Sequence, residues 1–133
     1  MGASSELSSI LSRTDIVGSK SPLEIIVKDK LQIINGLKNI KNINNIIFAY
    51  EPIWSIGTGV IPKKDDLISI VIFIKRLLKK KFQVKTSKVL YGGSVNPINI
   101  QELGKINVID GFLIGGASQS SNKFIDIIKK TFN

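Results

Sequence analysis

Short apolar runs alternate along this chain with segments of helical periodicity, and this alternation restricts the fold more than any other feature. The runs predict strands at residues 46–50, 88–91 and 111–114. Apolar residues at three- and four-residue steps predict helices at residues 22–37, 65–81, 97–103 and 122–132. We expect Asn96-Pro97 to cap the third helix and Gly104 to stop it. Apolar strands that lead into amphipathic helices are typical of a parallel sheet covered on both faces, so the sequence predicts an α/β fold.

The composition suits one ordered domain and argues against several kinds of site. With 133 residues, 43% of them hydrophobic, the chain can bury a core; we assign residues 21–133 to one domain, after an irregular segment at 1–20. The apolar runs are too short to span a bilayer, and residues 1–20 lack the pattern of a secretory signal. Cysteine and histidine are absent and the carboxylates do not cluster, so we expect no disulfide, no metal site and no organic cofactor.

The net charge of +9 raises the question of a nucleic-acid partner. The lysines, however, are spread along the chain, and the densest run, Lys79-Lys80-Lys81, falls where a helix is expected to end. Cations there offset the negative end of the helix dipole. Because no nucleic-acid-binding motif is visible, we interpret the charge as a solvated surface and expect neither a nucleic-acid nor a membrane partner.

The residues that follow each predicted strand carry the chemistry. Glu51 follows the first strand and opens a loop that runs from Pro52 to Gly57-Thr58-Gly59, a composition that suits a hinged lid over a general base. The second strand ends in Gly92-Gly93-Ser94 and the third in Gly115-Gly116, where backbone N–H groups can approach an anion. Sites in parallel α/β folds form at the carboxyl ends of strands. The pattern therefore predicts a base that acts on a small phosphorylated substrate.

Each of these features has a simpler interpretation when it is taken alone. A glutamate after a strand is most often a loop carboxylate, and paired glycines are most often ordinary turns. Tyr91 and Trp54 would more often pack against a core than contact a ligand. It is the order and spacing of the features together that indicate a site.

Three motifs in this order resemble the C-terminal part of triosephosphate isomerase. They read AYEPIWSIGTG at residues 49–59, YGGSV at 91–95 and DGFLIGGAS at 110–118. The resemblance covers residues 46–133, and the segment 22–37 is similar to the family in pattern only. It implies a partial (β/α)₈ barrel, made of helix 5 and β/α units 6 to 8, since 133 residues are far short of the roughly 250 of a whole barrel.

The resemblance also implies roles for particular residues. Glu51 resembles the family's catalytic base, which moves a proton through an enediol as dihydroxyacetone phosphate and D-glyceraldehyde 3-phosphate interconvert in the cytoplasm. Residues 52–62 resemble the family's lid, and Tyr91 and Ser94 resemble the side chains that bond to it when it is closed. The lid residues that match are Pro52, Ile53, Trp54, Ser55, Ile56, Thr58 and Gly59. The residues that resemble the phosphate-binding donors are Gly57, Ser94, Gly115 and Gly116.

The sequence departs from the family in one respect that bears on activity. The family places a lysine and a histidine from the first half of the barrel opposite the glutamate, and these 133 residues contain no histidine and no match to that lysine's motif. We therefore expect negligible isomerase activity from the isolated chain. We expect the chain to pair with an N-terminal half-barrel, to self-associate or to stay partly molten, because a partial barrel has open sheet edges. The alternative is a non-catalytic phosphate-binding half-barrel or a decayed remnant, and a basic nucleic-acid module ranks last.

Overall fold

The structure is a computed structural model and describes residues 22–132. The predicted irregular segment 1–20 lies outside this range. The helices are α1 (Pro22–Leu37), α2 (Lys64–Phe82), α3 (Ile100–Gly104) and α4 (Ser121–Phe132). The strands are β1 (Ile47–Tyr50), β2 (Lys88–Tyr91) and β3 (Gly111–Phe112). The predicted helices and strands are therefore present in the predicted order, with 3₁₀ turns at Ile43–Asn45, Ile53–Ser55 and Gly116–Gln119.

The strands form one parallel sheet in the order β1-β2-β3. β1 pairs with β2 over its whole length, and β2 pairs with β3 through Leu90–Gly111 and Tyr91–Phe112. This confirms the α/β class and the parallel sheet. Within the described part of the chain, β1 and β3 each have one edge without a strand partner, so the sheet is open.

One face of the sheet carries the core. Phe48 and Tyr50 of β1 pair in register with Val89 and Tyr91 of β2, and all four are buried on the same face because strand residues alternate in direction. Ile47 points to the opposite face and is 53% exposed. The expectation of a sheet covered on both faces is therefore wrong at Ile47, although Ala49, which lies on the same face, is 4% exposed. The helices add to the core the buried side chains of Ile33, Leu37, Leu67, Ile70, Val71, Ile74, Leu78, Ile100, Leu103 and Ile127.

Two element boundaries differ from the predictions for local reasons. The third strand was expected over 111–114 and pairs only at Gly111–Phe112, although the Leu113 N–H still donates to the Tyr91 carbonyl oxygen at 2.9 Å. The short helix begins at Ile100, not directly after Asn96-Pro97. The Asn96 Oδ1 atom accepts from the N–H groups of residues 98 and 99 at 2.8 and 3.0 Å, so it closes a turn ahead of the helix instead of capping it. Gly104 is the last helical residue.

Asp110 fastens the amino end of β2 to α2. Its Oδ2 atom accepts from the Val89 N–H at 2.9 Å and lies 2.9 Å from Lys75 Nζ, which also donates to the Val108 carbonyl oxygen at 2.7 Å. Partial burial works to raise the pKa of the Asp110 carboxyl, but the hydrogen bonds from Lys75 and Val89 outweigh it and hold the pKa below its usual value.

The charges of α2 follow the helix dipole as expected. Asp65 and Asp66 lie in its first turn and Lys79, Lys80 and Lys81 in its last turn. No helix within residues 22–132 has both the length and the apolar content to cross a membrane.

Candidate functional site

The carboxyl ends of the strands surround a cavity of about 760 Å³. Its lining includes Glu51 together with the four predicted phosphate-binding residues, Gly57, Ser94, Gly115 and Gly116. Two further residues of the lid (residues 52–62), Ile56 and Gly59, also line it. The fold therefore brings the candidate base and the candidate anion-binding residues, which come from three separate strand exits, to one place.

Glu51 lies directly against the backbone of Gly92. A Cβ atom on Gly92 would lie 2.5 Å from Glu51 Cγ and 2.7 Å from Glu51 Oε1, which is far inside contact distance. The Gly92 N–H donates to the Tyr50 carbonyl oxygen at 2.9 Å and so holds the ends of β1 and β2 side by side. The missing side chain at Gly92 therefore makes the space in which the partly buried Glu51 side chain reaches the cavity.

The lid folds over the cavity and is fastened to the end of β2. Gly57 and Gly59 have φ angles of +69° and +77°, in the left-handed region that L side chains rarely adopt, which explains why the lid needs glycine there. Thr58 braces the bend between them, since its Oγ1 donates to the Ser55 carbonyl oxygen at 3.0 Å and accepts from the Val60 N–H at 3.1 Å. The Gly59 N–H then donates to Ser94 Oγ at 2.9 Å.

Beneath the lid, the hydroxyl groups of Ser55 and Tyr91 form a buried pair with 2.8 Å between their oxygens. Burial raises the pKa of Tyr91 to about 12, although its hydrogen bonds to Ser55 and Ser94 act in the opposite direction. A Cβ atom on Gly93 would lie 2.0 Å from the Tyr91 hydroxyl oxygen and 2.6 Å from Ser55 Oγ. The second glycine of the Gly92-Gly93 pair therefore serves the packing of the lid, and the first makes room for Glu51.

At the exit of β3, the glycine turn at Gly115 and Gly116 lines the cavity with its backbone. Ser118 closes the turn after Gly115, because its N–H and its Oγ both donate to the Gly115 carbonyl oxygen, at 2.9 and 2.6 Å. A Cβ atom on Gly115 or Gly116 would meet nothing within 4 Å, so these glycines face open space and not a packed neighbour. This is the arrangement in which a ligand can approach the backbone closely.

Lys123 is a lining residue that sequence reasoning missed. It lies in the first turn of α4, the helix that follows the Gly115-Gly116 turn. Its position shortly after the paired glycines was a signal in the sequence, but periodicity alone does not say which side chain of a first turn faces a cavity. Of the described residues that line the cavity, Glu51 and Lys123 are the charged ones.

Several predicted lid residues lie outside the cavity lining. Trp54 is partly buried, and its Nε1 atom is buried without a hydrogen-bond acceptor among the described residues. The Ile53 side chain lies outside what the structure describes. The other residues that do not line the cavity are Pro52, Ser55, Thr58 and Tyr91.

The site offers acid–base and anion-binding chemistry. Glu51 is a carboxylate that a closing lid can shield from water, and Lys123 and the glycine-rich turns are suited to an anion. Within residues 22–132, no three Asp or Glu side chains come together as a group that could hold a metal ion.

Comparisons with known sequences and structures all match the same family. The sequence profile of the family described as triosephosphate isomerase matches residues 18–131. The triosephosphate isomerase of Dictyoglomus thermophilum is 38% identical over 109 residues, which cover 80% of this chain and 43% of that protein. The protein of the same name from Thermodesulfovibrio yellowstonii is 41% identical over 102 residues, or 75% of this chain and 42% of that one. The crystal structure of triosephosphate isomerase from Bartonella henselae matches with a TM-score of 0.70 and 29% identity, covering 84% of this chain and 45% of that chain. The chain thus spans less than half the length of these relatives.

Proposed function

This chain belongs to the triosephosphate isomerase family, and we propose that it provides the base, the lid and the phosphate-binding turns for interconverting dihydroxyacetone phosphate and D-glyceraldehyde 3-phosphate in the cytoplasm. In this proposal Glu51 takes a proton from one substrate carbon and returns it to the neighbouring carbon through an enediol. The observation that carries the proposal is the shared cavity, which is lined by Glu51 together with Gly57, Ser94, Gly115 and Gly116.

The lid and the glycine turns have separate roles in this proposal. Backbone N–H groups at the exits of β2 and β3 bind the phosphate, and closure of the lid keeps water from the enediol. We assign Lys123 to the phosphate, because it belongs to the helix that follows the Gly115-Gly116 turn. A dianion beside one ammonium group and several N–H donors is favourable, since hydrogen bonds to charged groups are the stronger ones.

The proposal requires further residues from outside these 133. Proton removal from a carbon beside a carbonyl places negative charge on the carbonyl oxygen, and that charge needs a donor or cation to stabilise it. The sequence contains no histidine, and Lys123, the one lysine among the described residues that line the cavity, is assigned to the phosphate. The polarising group therefore comes from the remainder of a barrel.

We propose an N-terminal half-barrel as the partner that supplies this group. Ile47 on the open face of the sheet is 53% exposed, and Phe132 at the end of α4 is 83% exposed. Exposed apolar surface of this kind, beside an unpaired strand edge, favours the pairing of further strands. The buried, unpartnered Trp54 Nε1 supports the same inference, because buried N–H groups are rarely left without an acceptor. Self-association of two copies is the competing assembly.

A second candidate function is phosphate binding without chemistry. The absence of histidine from the sequence favours it, since glycine-rich turns suited to an anion line the cavity and these 133 residues offer no imidazole to polarise a carbonyl. The two functions differ in whether Glu51 matters: catalysis depends on its carboxylate, and simple phosphate binding does not.

The test is to mix the chain with the N-terminal half-barrel of the Thermodesulfovibrio yellowstonii relative and to measure isomerase turnover. We expect the isolated chain to be inactive and the mixture to be active. Glu51→Gln in the mixture should lower kcat by roughly 10²–10⁴, the usual contribution of a general base. Glu102→Gln is the matched control, because Glu102 lies on α3 and does not line the cavity.

The outcomes separate the two functions. Phosphate binding without turnover in the mixture would favour the non-catalytic alternative. No binding of either substrate or inorganic phosphate would contradict both.

A further inference from the structure

A second cavity, of about 550 Å³, lies at the amino end of β2, and we call it the amino-end cavity. Residues 85–87 and Lys88, the first residue of β2, form one wall, and residues 72–79 of α2 form the other. None of the described residues lines both this cavity and the site at the carboxyl ends of the strands. The four residues of β2, about 13 Å in length, separate the two. A ligand in the amino-end cavity would therefore lie apart from the atoms that the proposed function uses.

The lining of the amino-end cavity carries five cations and one carboxylate. The cations are Lys75, Arg76 and Lys79 from α2, and Lys85 and Lys88 from the other wall. The carboxylate is that of Asp110, whose Oδ2 atom already accepts from the Val89 N–H and from Lys75 Nζ, at 2.9 Å each. Within residues 22–132, the other four cations have no carboxylate oxygen within 4.0 Å. The cavity therefore holds a local excess of positive charge.

The dipole of α2 accounts for only one of the five cations. Lys79 lies in the last turn of the helix, where a cation offsets the negative end of the dipole. Lys75 and Arg76 precede that turn, and Lys85 and Lys88 follow the helix. Lys75 and Lys79 are also four residues apart on one helix, a spacing at which like charges are destabilising. An anion bound between the two walls would offset this repulsion.

The wall opposite α2 also presents neutral donors from a turn of fixed shape. α2 ends at a left-handed residue, Gln83, with φ +56°, and the Val84 N–H donates to the Leu78 carbonyl oxygen at 3.1 Å. Thr86 and Ser87 follow this turn and line the cavity. Among the described residues neither hydroxyl has a hydrogen-bond partner, so both can donate to a bound anion.

We propose that the amino-end cavity binds a polyphosphate chain, either an inorganic polyphosphate or the phosphate groups of a nucleotide. Cations on two facing walls suit a ligand that carries several negative charges along its length, because a single phosphate reaches fewer of them. Arg76 can bind two phosphate oxygens at once, and the lysines act as point charges. The described lining has no aromatic side chain on which a base could stack, so the phosphates and not a base are recognised.

The first test is a calorimetric titration of the full chain with sodium tripolyphosphate, with ATP free of magnesium and with inorganic phosphate. At about 0.15 M salt, which screens scattered surface charges, tripolyphosphate and ATP should bind with the same affinity to within about twofold. Inorganic phosphate should bind about tenfold more weakly, since it reaches fewer cations. No binding of tripolyphosphate would overturn the proposal. ATP binding more than about tenfold tighter than tripolyphosphate would also overturn it, because the base would then be recognised.

Two neighbouring lysines provide a matched pair of variants. Lys79 lines the cavity and Lys80 does not, although both lie exposed in the last turn of α2 and carry the same charge. Lys79→Gln should weaken tripolyphosphate binding about threefold to fivefold, and Lys80→Gln should leave it unchanged to within about 1.5-fold. Lys85→Gln repeats the test from the other wall and should match Lys79→Gln. Equal losses from Lys79→Gln and Lys80→Gln would assign the attraction to net charge and overturn the proposal.

Amide NMR locates the bound polyphosphate. Tripolyphosphate should shift the amides of Thr86, Ser87 and Lys88, and an excess of 2-phosphoglycolate should leave its affinity unchanged. Shifts confined to Gly115 and Gly116, or displacement by 2-phosphoglycolate, would place the ligand in the site at the carboxyl ends of the strands and overturn the proposal. A chain that binds tripolyphosphate at residues 86–88 but no 2-phosphoglycolate would contradict the proposed function and leave this inference standing. A short single-stranded RNA that binds more tightly than tripolyphosphate would make the surface a nucleic-acid site and overturn the inference.

Discussion

Two regions of the sheet differ in how many of their groups have partners. The cavity edge is where the carboxyl ends of the strands meet the lid, and the open face is the side of the sheet that carries Ile47. At the cavity edge, Ser55 fills each of its hydrogen-bonding positions and Ser94 bonds through both its N–H and its hydroxyl. On the open face, Ile47 is 53% exposed, and the outer side of α4 leaves Phe132 exposed as well. The contacts that shape the lid and the glycine turns are therefore local to this chain, and the contacts that would close the scaffold are not.

Under the proposed function, this difference separates anion recognition from catalysis. The proposed anion-binding turns depend on backbone geometry at the exits of β2 and β3, which the described residues fix by themselves. The proposed isomerisation also needs a group that polarises the substrate carbonyl, and these 133 residues contain no histidine. Substitutions in the two regions should therefore differ in their effects on stability and on ligand binding.

The largest contrast lies between neighbouring residues of β1. Phe48→Ala should lower the free energy of unfolding by about 3–5 kcal/mol, because Phe48 is 1% exposed and its removal leaves a cavity in the core. Ile47→Ala should cost less than about 1 kcal/mol in the isolated chain, since its side chain already contacts solvent. Urea unfolding measures both. A large loss from Ile47→Ala would mean that the open face is covered in solution, for example by a second copy.

A second contrast uses two glycines. Gly93→Ala should destabilise the chain by about 1–3 kcal/mol and release the lid, because the added Cβ would lie 2.0 Å from the Tyr91 hydroxyl. Gly104→Ala is the control: a Cβ there meets nothing within 4 Å, so the substitution should not destabilise the chain. Thermal unfolding and exchange at the Gly59 amide measure the two effects. An unchanged Gly59 amide in Gly93→Ala would show that the turn does not hold the lid.

Most of the scaffold was predictable from the sequence, because strands and helices are local patterns. β2 has the bounds expected, β1 and α4 differ from expectation by one residue at one end, and α2 is longer than expected by one residue at each end. β3 is shorter than the apolar run, because pairing depends on the neighbouring strand and not on the run itself. Asn96 was expected to cap the short helix, but its side chain accepts from the N–H groups of residues 98 and 99 and closes a turn ahead of that helix.

The details of the site were less predictable because they depend on distant partners. The motifs identified Glu51 and the glycine turns, and these do line one cavity. Nothing in the sequence could show that Ser55 would meet residues 36 and 39 positions away, or that Gly92 and Gly93 would be required by different neighbours. Lys123 was missed for the same reason, since its reach into the cavity follows from the packing of α4.

A smaller effect is expected at Lys123. Lys123→Ala should weaken 2-phosphoglycolate binding about threefold to fivefold at low ionic strength, because an exposed charge contributes modestly and salt screens it. Lys129→Ala, on the same helix but outside the cavity lining, should have no effect on binding. Calorimetric titration at low and high salt measures both. Equal losses from the two variants would assign the attraction to net charge and not to the site.

The smallest effect is the pH dependence that Asp110 imposes. Its pKa in the folded chain lies below the ordinary value of 3.8, so its bonds to Lys75 and Val89 stabilise the fold at neutral pH. This stabilisation is lost as pH falls below 3.8 through the lowered pKa, and we expect less than about 1 kcal/mol because the pair is partly exposed. Urea midpoints between neutral and acid pH should fall less steeply in Asp110→Asn. An identical slope in the variant would remove Asp110 from the link between β2 and α2.

The most direct test of the proposed half-site is a two-dimensional amide NMR titration of the chain with 2-phosphoglycolate. If the cavity edge is complete in itself, the spectrum will be dispersed, and shifts will concentrate at Gly57, Gly93, Ser94, Gly115 and Gly116. A collapsed spectrum that does not respond to the ligand would contradict this. It would mean that the lid and the glycine turns, like the open face, form only with the remainder of the barrel.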